Sequence, residues 1–303
     1  MRILHPRQTL QIKSAITIGT FDGVHLGHKA IFQKVQDISR NKDLASVMIT
    51  FEPPPKRFFS KGNIENLTTL SEKIDIISNI GIDYLLVLPF NKELVNTSWK
   101  KFVRKILEEK LNIKYLVVGY DFRMGKDKEG SPEKLLNMPF YVNIVSPFRI
   151  GKEPVKSSFI RDLVKKGEIK KANCFLGYNY NISGNTVKGL GLARKLGYPT
   201  INFRPSPEKL LPPNGVYAIE SRESHKAGML YIGNRPTFDI NDKTIEVHFI
   251  DDIVDFDFKT ISIEILEKIR DEKKFANRNE LISQLAIDKE RTIALIRKEN
   301  WND

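Results

Sequence analysis

Cysteine is almost absent from the 303 residues, since Cys174 is the only one. A single thiol excludes an internal disulfide, so we expect a reducing, cytoplasmic setting. Cys174 itself is expected to be a small buried hydrophobic residue rather than a nucleophile. No apolar run approaches the roughly 20 residues that span a membrane. The first residues also lack the apolar core of a signal peptide, so we expect no membrane partner and no leader.

Negative charge is in deficit, and the formal net charge is +12. The whole excess lies in residues 1–171, which hold 30 Lys and Arg against 18 Asp and Glu. Such an excess favours steering of an anionic substrate or a nucleic-acid surface. The lysines are scattered, without a zinc motif or interleaved aromatic residues, so most of them indicate a solvated surface. We therefore expect no nucleic-acid partner.

The length of the chain predicts about two domains. Apolar runs at 15–18, 44–51, 84–88, 114–118 and 139–145 alternate with helical periodicity, which predicts a parallel α/β sheet. From about residue 180, short strands separated by Gly and Pro predict an antiparallel barrel, followed by a helix over 275–300. We expect the first domain to comprise residues 1–178 and the second 179–303.

The most informative stretch is the turn GTFDGVHLGH at residues 19–28, between the first predicted strand and helix. His25 and His28 are three residues apart and share one helix face. Gly19, Gly23 and Gly27 let the backbone approach a bulky anion, and the helix N-terminus adds unpaired N–H groups. We expect a phosphate site here. The alternative is that His25 only caps the helix and His28 lies on an ordinary surface turn.

Other segments of the first half add polar or rigid loops. Three consecutive prolines at 53–55 predict a stiffened loop with aromatic ends that can wall a pocket. Ser157 and Ser158 are natural N-caps of a helix predicted over 162–166, with hydroxyls and N–H groups for phosphate. Arg161 lies one turn further and can make bidentate phosphate contacts. An ordinary capped helix is the alternative.

Two segments of the second half suggest chemistry. A glycine-rich basic loop begins at Gly189 and can cradle phosphates through its backbone. Thr200 and Asn202 alternate on a strand and offer two oxygen ligands suited to Mg²⁺ with nucleotide phosphates. Glu246 shares a strand face with His248 and could accept a proton from a substrate hydroxyl. Alone, the loop predicts a plain turn, and Glu246 predicts a solvent-facing glutamate.

In combination and order, these motifs resemble the prokaryotic bifunctional riboflavin kinase/FAD synthetase family over nearly the whole chain. The resemblance implies a nucleotidyltransferase domain with a Rossmann-like parallel sheet, followed by a riboflavin kinase barrel with a terminal helix. It implies phosphorylation of riboflavin to FMN and adenylylation of FMN to FAD, with riboflavin, FMN and ATP as substrates, Mg²⁺ as cofactor and pyrophosphate released. The alternative is a monofunctional riboflavin kinase whose impaired first domain only binds flavin or nucleotide. The oligomeric state is left open.

The resemblance also assigns roles to single residues. The catalytic residues are Glu246, His25, His28 and Arg161. Nucleotide and phosphate contacts are assigned to Gly19, Phe21, Asp22, Gly27, Ser157, Ser158, Gly189, Gly191 and Arg194. Asp121, Phe122 and Arg270 are assigned to the flavin, and Thr200 and Asn202 to the metal. The chain departs from the family pattern at Met124, Lys156, Phe159 and the pair Phe258-Lys259.

Overall fold

The computed structural model describes residues 1–61, 64–189, 196–222, 224–234, 243–250 and 259–299. The chain folds into two compact units, Met1–Ser157 and Ser158–Asp303. The expected division of function between residues 178 and 179 stays a prediction. No helix in these ranges is both long and apolar enough to cross a membrane.

The first unit is built on a parallel sheet. Its strands are β1 (Arg2–Leu4), β2 (Ser14–Ile18), β3 (Ala45–Glu52), β4 (Tyr84–Pro89), β5 (Ile113–Gly119) and β6 (Tyr141–Val145). Within the described residues they form one sheet in the order β1-β4-β3-β2-β5-β6, and every pair is parallel. Strands β3 and β5 flank β2 on opposite sides, so the strand order switches direction at β2. Ligands of open parallel sheets bind at such a switch, beyond the carboxyl ends of the strands.

Helices and short turns fill the connections of this unit. They are α1 (Leu26–Lys42), α2 (Pro55–Phe59), α3 (Leu70–Ser78), α4 (Lys92–Val95), α5 (Trp99–Phe102), a π-helical segment (Val103–Glu108), a 3₁₀ turn (Lys126–Lys128) and α6 (Pro132–Leu135). A hairpin of β7 (Arg149–Ile150) and β8 (Glu153–Pro154) follows.

The core of the first unit lies on both faces of the sheet. Strand β2 is buried throughout, and its alternate residues point to opposite faces. Ile16 packs with α5 and the π-helical segment on one face, whereas Ala15 packs with α1 and α3 on the other. Burial on both faces explains why this strand carries no charged residue on either face.

The sequence predicted the five longer strands and the helix α1, and these are confirmed. It missed β1, which is three residues long. The expected loop at 51–59 is wrong in its second half, because Pro55 opens the short helix α2, and proline is favoured in a first helical turn. Helix α3 is capped by Thr69 through a capping box with Glu72.

The second unit holds two helices, a barrel and a terminal helix. The helices are α7 (Ser157–Lys166), which starts at the last residue of the first unit, α8 (Ile169–Leu176) and α9 (Arg278–Glu299). The strands are β9 (Tyr180–Val187), β10 (Ile201–Pro205), β11 (Gly215–Ser221), β12 (Ala227–Asn234), β13 (Lys243–Phe249) and β14 (Thr260–Asp271). Among the described residues they close an antiparallel barrel in the order β10-β13-β12-β11-β14-β9.

The barrel and the terminal helix are confirmed, but two expectations about the segment before them are wrong. Helix α7 begins at Ser157 rather than at residue 162, and α8 was not predicted. Cys174 is exposed rather than buried. Helix α8 buries a face formed by Ile169, Ala172, Phe175 and Leu176, and position 174 falls outside that face.

Candidate active sites

The glycine–histidine turn lies at the carboxyl end of β2, as the sequence predicted. Its backbone takes positive φ at Phe21 (48°), Gly23 (80°) and Val24 (37°). A side chain at Gly19 would meet the Phe21 ring at 2.8 Å. Phe21 and Val24 are buried at 3% and 0% exposure. The turn is therefore compact and left-handed, and its two apolar side chains anchor it to the core.

Asp22 fastens this turn to the segment before α3. Its Oδ1 accepts hydrogen bonds from the backbone N–H of Leu67 at 2.8 Å and of Thr68 at 3.2 Å. Its carbonyl oxygen accepts one from the Ser157 hydroxyl at 2.9 Å. The described contacts of Asp22 thus fix the shape of the turn and bring Ser157 to it.

His25 and His28 meet at the N-terminus of α1. His25 is the N-cap, and its Nδ1 accepts from the His28 backbone N–H at 3.3 Å. Their rings stack with centroids 3.5 Å apart at 16°, and the Phe21 ring packs edge-on against His28 at 5.2 Å. His25 does cap the helix, as one part of the alternative expected. His28 is not on an ordinary surface turn, because it is half-buried within this stack.

The pair is neutral at pH 7. Burial lowers the pKa of His25 to about 4. Burial also lowers the pKa of His28 well below its usual range, and the charges of His25 and Lys73 add to that effect. The Nδ1 atom of His28 is buried and makes no hydrogen bond within the described part of the chain. Because the first turn of α1 carries no acidic residue, the positive end of the helix dipole is left for an anion.

The ends of the neighbouring strands lie beside this turn in the sheet. At the end of β5, Phe122 N–H donates to the Gly119 carbonyl at 3.1 Å and closes a tight turn. Asp121 is exposed within this turn, whereas Phe122 packs partly buried against the core. Since β2 and β5 are adjacent and parallel, the sheet brings the residues expected to contact flavin to the same edge as the histidines.

An aromatic cluster stands at the ends of β3 and β4. Phe90 contacts Phe51, Phe58 and Phe59 edge to face, with ring centroids 5.4 to 5.8 Å apart. Phe59 is 64% exposed. The sequence predicted aromatic ends for the proline loop, but Phe90 was missed because it lies some 30 residues away in the chain.

Helix α7 carries the remaining residues assigned to the first site. Gly27 lies close to the preceding segment, since a side chain there would stand 3.4 Å from the Val155 carbonyl. Ser158 is exposed and Arg161 is half-buried on the helix. Of the residues assigned to phosphate in this segment, Ser157 is the one tied to the histidine turn.

In the second unit, Glu246 lies at the centre of a cluster on neighbouring strands. It is opposite Asn202 of β10 on one side and Tyr231 of β12 on the other, so the three side chains share a face. The Thr200 hydroxyl donates to Glu246 Oε2 at 3.3 Å. A side chain at Gly189 would overlap the Asn202 amide, at 2.3 Å. The barrel thus brings together four residues that the sequence singled out.

His248 supports this cluster from the same strand. Its Nδ1 lies 2.9 Å from the Pro199 carbonyl and must donate, because a carbonyl only accepts. Its ring packs against Tyr198 at 5.1 Å. Val247 and Phe249, on the opposite face, are buried as the alternation predicted. His248 therefore holds the residues just before Thr200, a role that the sequence did not reveal.

Arg270 is anchored by the terminal helix. Its Nε lies 2.8 and 3.1 Å from the two carboxylate oxygens of Asp288 on α9, which is fully buried. The guanidinium also lies over the Phe275 ring at 5.6 Å. The neighbouring Glu272 accepts from the Tyr231 hydroxyl at 2.6 Å. Burial, the Glu272 hydrogen bond and the Glu246 charge raise the pKa of Tyr231, whereas Arg270 lowers it, so Tyr231 lies between the end of β14 and the Glu246 cluster.

Comparison with known proteins decides between the alternatives. The FAD synthetase family model matches residues 7–159, and the riboflavin kinase model matches residues 176–296. A bifunctional riboflavin kinase/FMN adenylyltransferase of Buchnera aphidicola subsp. Acyrthosiphon pisum is 35% identical over 95% of both chains. The enzyme of the same name from Escherichia coli K12 is 33% identical, over 93% of this chain and 92% of that one. The chain belongs to this family.

A solved structure has the same fold as this bifunctional riboflavin kinase/FMN adenylyltransferase family member. The structure, described as a macrolide-efflux protein from Streptococcus pneumoniae, gives a TM-score of 0.86 at 27% identity and covers 96% of this chain and 99% of its own. The two family-model matches show that the chain carries both an FAD synthetase domain and a riboflavin kinase domain. The bifunctional interpretation is favoured over that of a lone kinase.

Some expected residues of the riboflavin kinase domain lie outside the described residues. They are Gly191 and Arg194 of the glycine-rich loop, and Phe258, which belongs to the pair Phe258-Lys259 that differs from the family pattern.

The donor atoms around Glu246 suit a hard cation. A hydroxyl comes from Thr200 and an amide oxygen from Asn202, and both are oxygen donors of the kind Mg²⁺ prefers. Within the described ranges, no group of three or more His, Cys, Asp or Glu residues could hold a metal by itself. The oxygen donors present therefore fit a Mg²⁺ ion.

Proposed function

We propose that this chain phosphorylates riboflavin to FMN in its barrel and adenylylates FMN to FAD in its α/β domain, using one ATP for each step. The observation that supports the proposal is a cluster of functional side chains in each of the two units. In one, Glu246 meets Thr200 and Asn202. In the other, two stacked neutral histidines lie at a helix N-terminus.

In the kinase step, Glu246 acts as the general base. The 5′-hydroxyl oxygen of riboflavin attacks the γ-phosphorus of ATP, the hydroxyl proton passes to the Glu246 carboxylate, and the bond to the β-phosphate oxygen breaks to release ADP. The Thr200 hydroxyl, at 3.3 Å from Glu246, holds the carboxylate in place. Arg270, fixed by Asp288, is proposed to contact the flavin.

Thr200 and Asn202 would hold Mg²⁺ in this domain. When bound, the ion neutralises phosphate charge during transfer. The glycine-rich loop, with Gly189, Gly191 and Arg194, is proposed to cradle the phosphates of the same nucleotide. Gly189 contributes by leaving room for the Asn202 amide.

In the adenylyl step, a phosphate oxygen of FMN attacks the α-phosphorus of the second ATP, and the bond to the β-phosphate breaks to release pyrophosphate. The FMN phosphate is already ionised, so this step needs no general base. His25 and His28 donate hydrogen bonds to the transferring phosphoryl group. Gly19, Phe21, Asp22 and Gly27 shape the turn that receives the nucleotide.

The remaining residues of the first site are proposed to hold the leaving group and the flavin. Ser157, Ser158 and Arg161 bind the departing pyrophosphate through hydroxyls and a guanidinium. Asp121 and Phe122 contact the flavin from the end of β5. We propose a cytoplasmic enzyme with riboflavin, FMN and ATP as its partners and no nucleic acid.

The test is to incubate the purified chain with riboflavin, ATP and Mg²⁺ and to separate the flavins over time. FMN appearing first and FAD after it is the expected result. FMN that accumulates without FAD, even when FMN is supplied in excess, would reject adenylylation and leave a monofunctional kinase. No conversion of riboflavin by the folded chain would reject the kinase step.

A further inference from the structure

Lys73, on α3, is a buried cation that the reaction scheme does not use. Its exposure is 1%, although a lysine is almost never buried without a specific partner. Its Nζ donates to the Thr20 carbonyl at 2.8 Å and lies 3.4 Å from the Thr50 hydroxyl. The ammonium therefore sits at the carboxyl ends of two parallel strands, directly beside the glycine–histidine turn.

The two partners of Lys73 belong to different strand ends. Thr20 follows β2 inside the turn, and Thr50 lies near the end of β3 with 0% exposure. The Thr50 hydroxyl also reaches the Thr20 carbonyl, at 3.2 Å. One carbonyl oxygen thus accepts from both a hydroxyl and an ammonium. Because the residue after Thr20 adopts φ of 48°, this anchor fixes the backbone where the chain enters its left-handed turn.

The position of α3 itself depends on the same region. Thr69 and Glu72 form the capping box that starts the helix, and the residues just before them, Leu67 and Thr68, bind the Asp22 carboxylate. Lys73 follows one turn later. The turn that carries the histidines is therefore held to α3 through Thr20, and to the segment before α3 through Asp22 and Gly23.

We propose that Lys73 is a positioning residue for adenylyl transfer, which holds the ends of β2 and β3 together and so fixes the turn that presents His25 and His28. The inference rests on the proposed adenylylation of FMN. Its charge has a second effect, on the protonation of His28. The described groups that act on the His28 ring are His25 from α1 and Lys73 from α3, and both disfavour the protonated form.

Three substitutions separate the two effects. Lys73→Met removes the donor and the charge, Lys73→Gln keeps a donor without the charge, and Lys73→Arg keeps both. Lys34→Met is the matched control, because Lys34 is exposed on α1 of the same unit. Riboflavin phosphorylation by the same preparation serves as an internal reference for active chain.

We expect Lys73→Met to lower kcat for FAD formation from FMN by about 100-fold, the cost of a misplaced catalytic group, with little change in KM. Lys73→Arg should recover most of the activity, and Lys34→Met should match the wild type. In an NMR titration of the histidine rings, His28 should bind a proton at higher pH in the Met and Gln variants than in the wild type or the Arg variant.

Unchanged kcat together with an unchanged His28 titration in Lys73→Met, or in Lys73→Gln if the Met variant does not fold, would overturn the inference. A loss of the same size in Lys34→Met would also overturn it, because the effect would then be one of general charge. If the wild type forms no FAD, the proposed function fails, while the His28 titration still decides whether Lys73 acts on that ring.

Discussion

At the scale of single residues, the two clusters predict separable defects. Glu246→Gln keeps the size of the side chain but removes the base, so FMN formation should fall by about 10²- to 10⁴-fold, the usual range for general-base catalysis. FAD formation from supplied FMN should be unchanged, because that step needs no base in this domain. Separate assays of the two steps check the expectation, and loss of both activities in a folded variant would contradict it.

The reverse defect is expected for His28→Asn. Loss of a donor to the transferring phosphoryl group should lower FAD formation by about 10²- to 10³-fold. Riboflavin phosphorylation should stay at the wild-type rate and serve as the control. Equal loss in the two assays would argue against two independent sites.

The sequence predicted where both clusters lie in the chain, but only part of the contacts that hold their side chains in place. Spacing places His25 and His28 on one face, and alternation places Glu246 opposite Val247. The sequence did not predict these roles for Lys73, His248 and Asp288. Each of them contacts a residue that is distant in the chain, and a local sequence pattern does not reveal such a contact. The sequence also gave no sign that the Asp22 carboxylate accepts hydrogen bonds from Leu67 and Thr68, and its expected nucleotide contact stays a prediction.

At the scale of secondary structure, long apolar elements were predicted well and short ones were not. Strands β3 and β5 are seven or eight residues long and rich in apolar and β-branched residues, so their pattern is visible in the sequence. Strand β1 spans three residues and pairs with β4 about 80 residues later, which leaves no local signal. Helix α8 was missed because its eight residues give only a short periodic pattern, next to the point where helical periodicity is replaced by short predicted strands.

The ion pair between Asp288 of α9 and Arg270 gives a prediction about stability. Asp288→Asn leaves Arg270 without its carboxylate, and breaking a buried pair costs about 3–5 kcal/mol. We expect the unfolding transition of the second unit to move to lower urea, and the KM for riboflavin to rise.

The matched control for Asp288→Asn is Glu267→Gln. Glu267 pairs with Lys170 at 3.2 Å, but this pair lies nearer the surface, with 35% of the Glu267 side chain and 59% of the Lys170 side chain exposed. An exposed pair contributes about 1 kcal/mol or less. If the two variants lose the same free energy of unfolding, the buried pair does not stabilise the unit more than the more exposed pair does.

At the scale of the whole molecule, the units should differ in their response to acid. The folded first unit keeps the pKa of His25 near 4, against about 6.5 in an unfolded chain. Between these values the unfolded state binds a proton that the folded state does not, so stability is present above pH 6.5 and is lost as pH falls. The loss is about 1.4 kcal/mol per pH unit from this residue alone.

Urea unfolding at pH 7, 6 and 5 measures this slope. His25→Asn is a suitable comparison, because Asn is a good N-cap but does not titrate. The variant should show a flatter dependence of stability on pH in the first unit. A slope identical to that of the wild type would mean that His25 is not the group responsible.

The closed barrel also affects when the second unit can fold during protein synthesis. Strand β9 must pair with β14, whose residues are made roughly 80 positions later. At the usual pace of protein synthesis this is a wait of roughly 4 to 16 seconds. The parallel sheet is complete by residue 157 and has no such dependence on the end of the chain. In ribosome-bound chains whose synthesis is stopped before β14, the sheet should therefore resist protease, whereas the barrel strands should be cleaved. During synthesis, the half proposed to consume FMN is finished before the half proposed to make it.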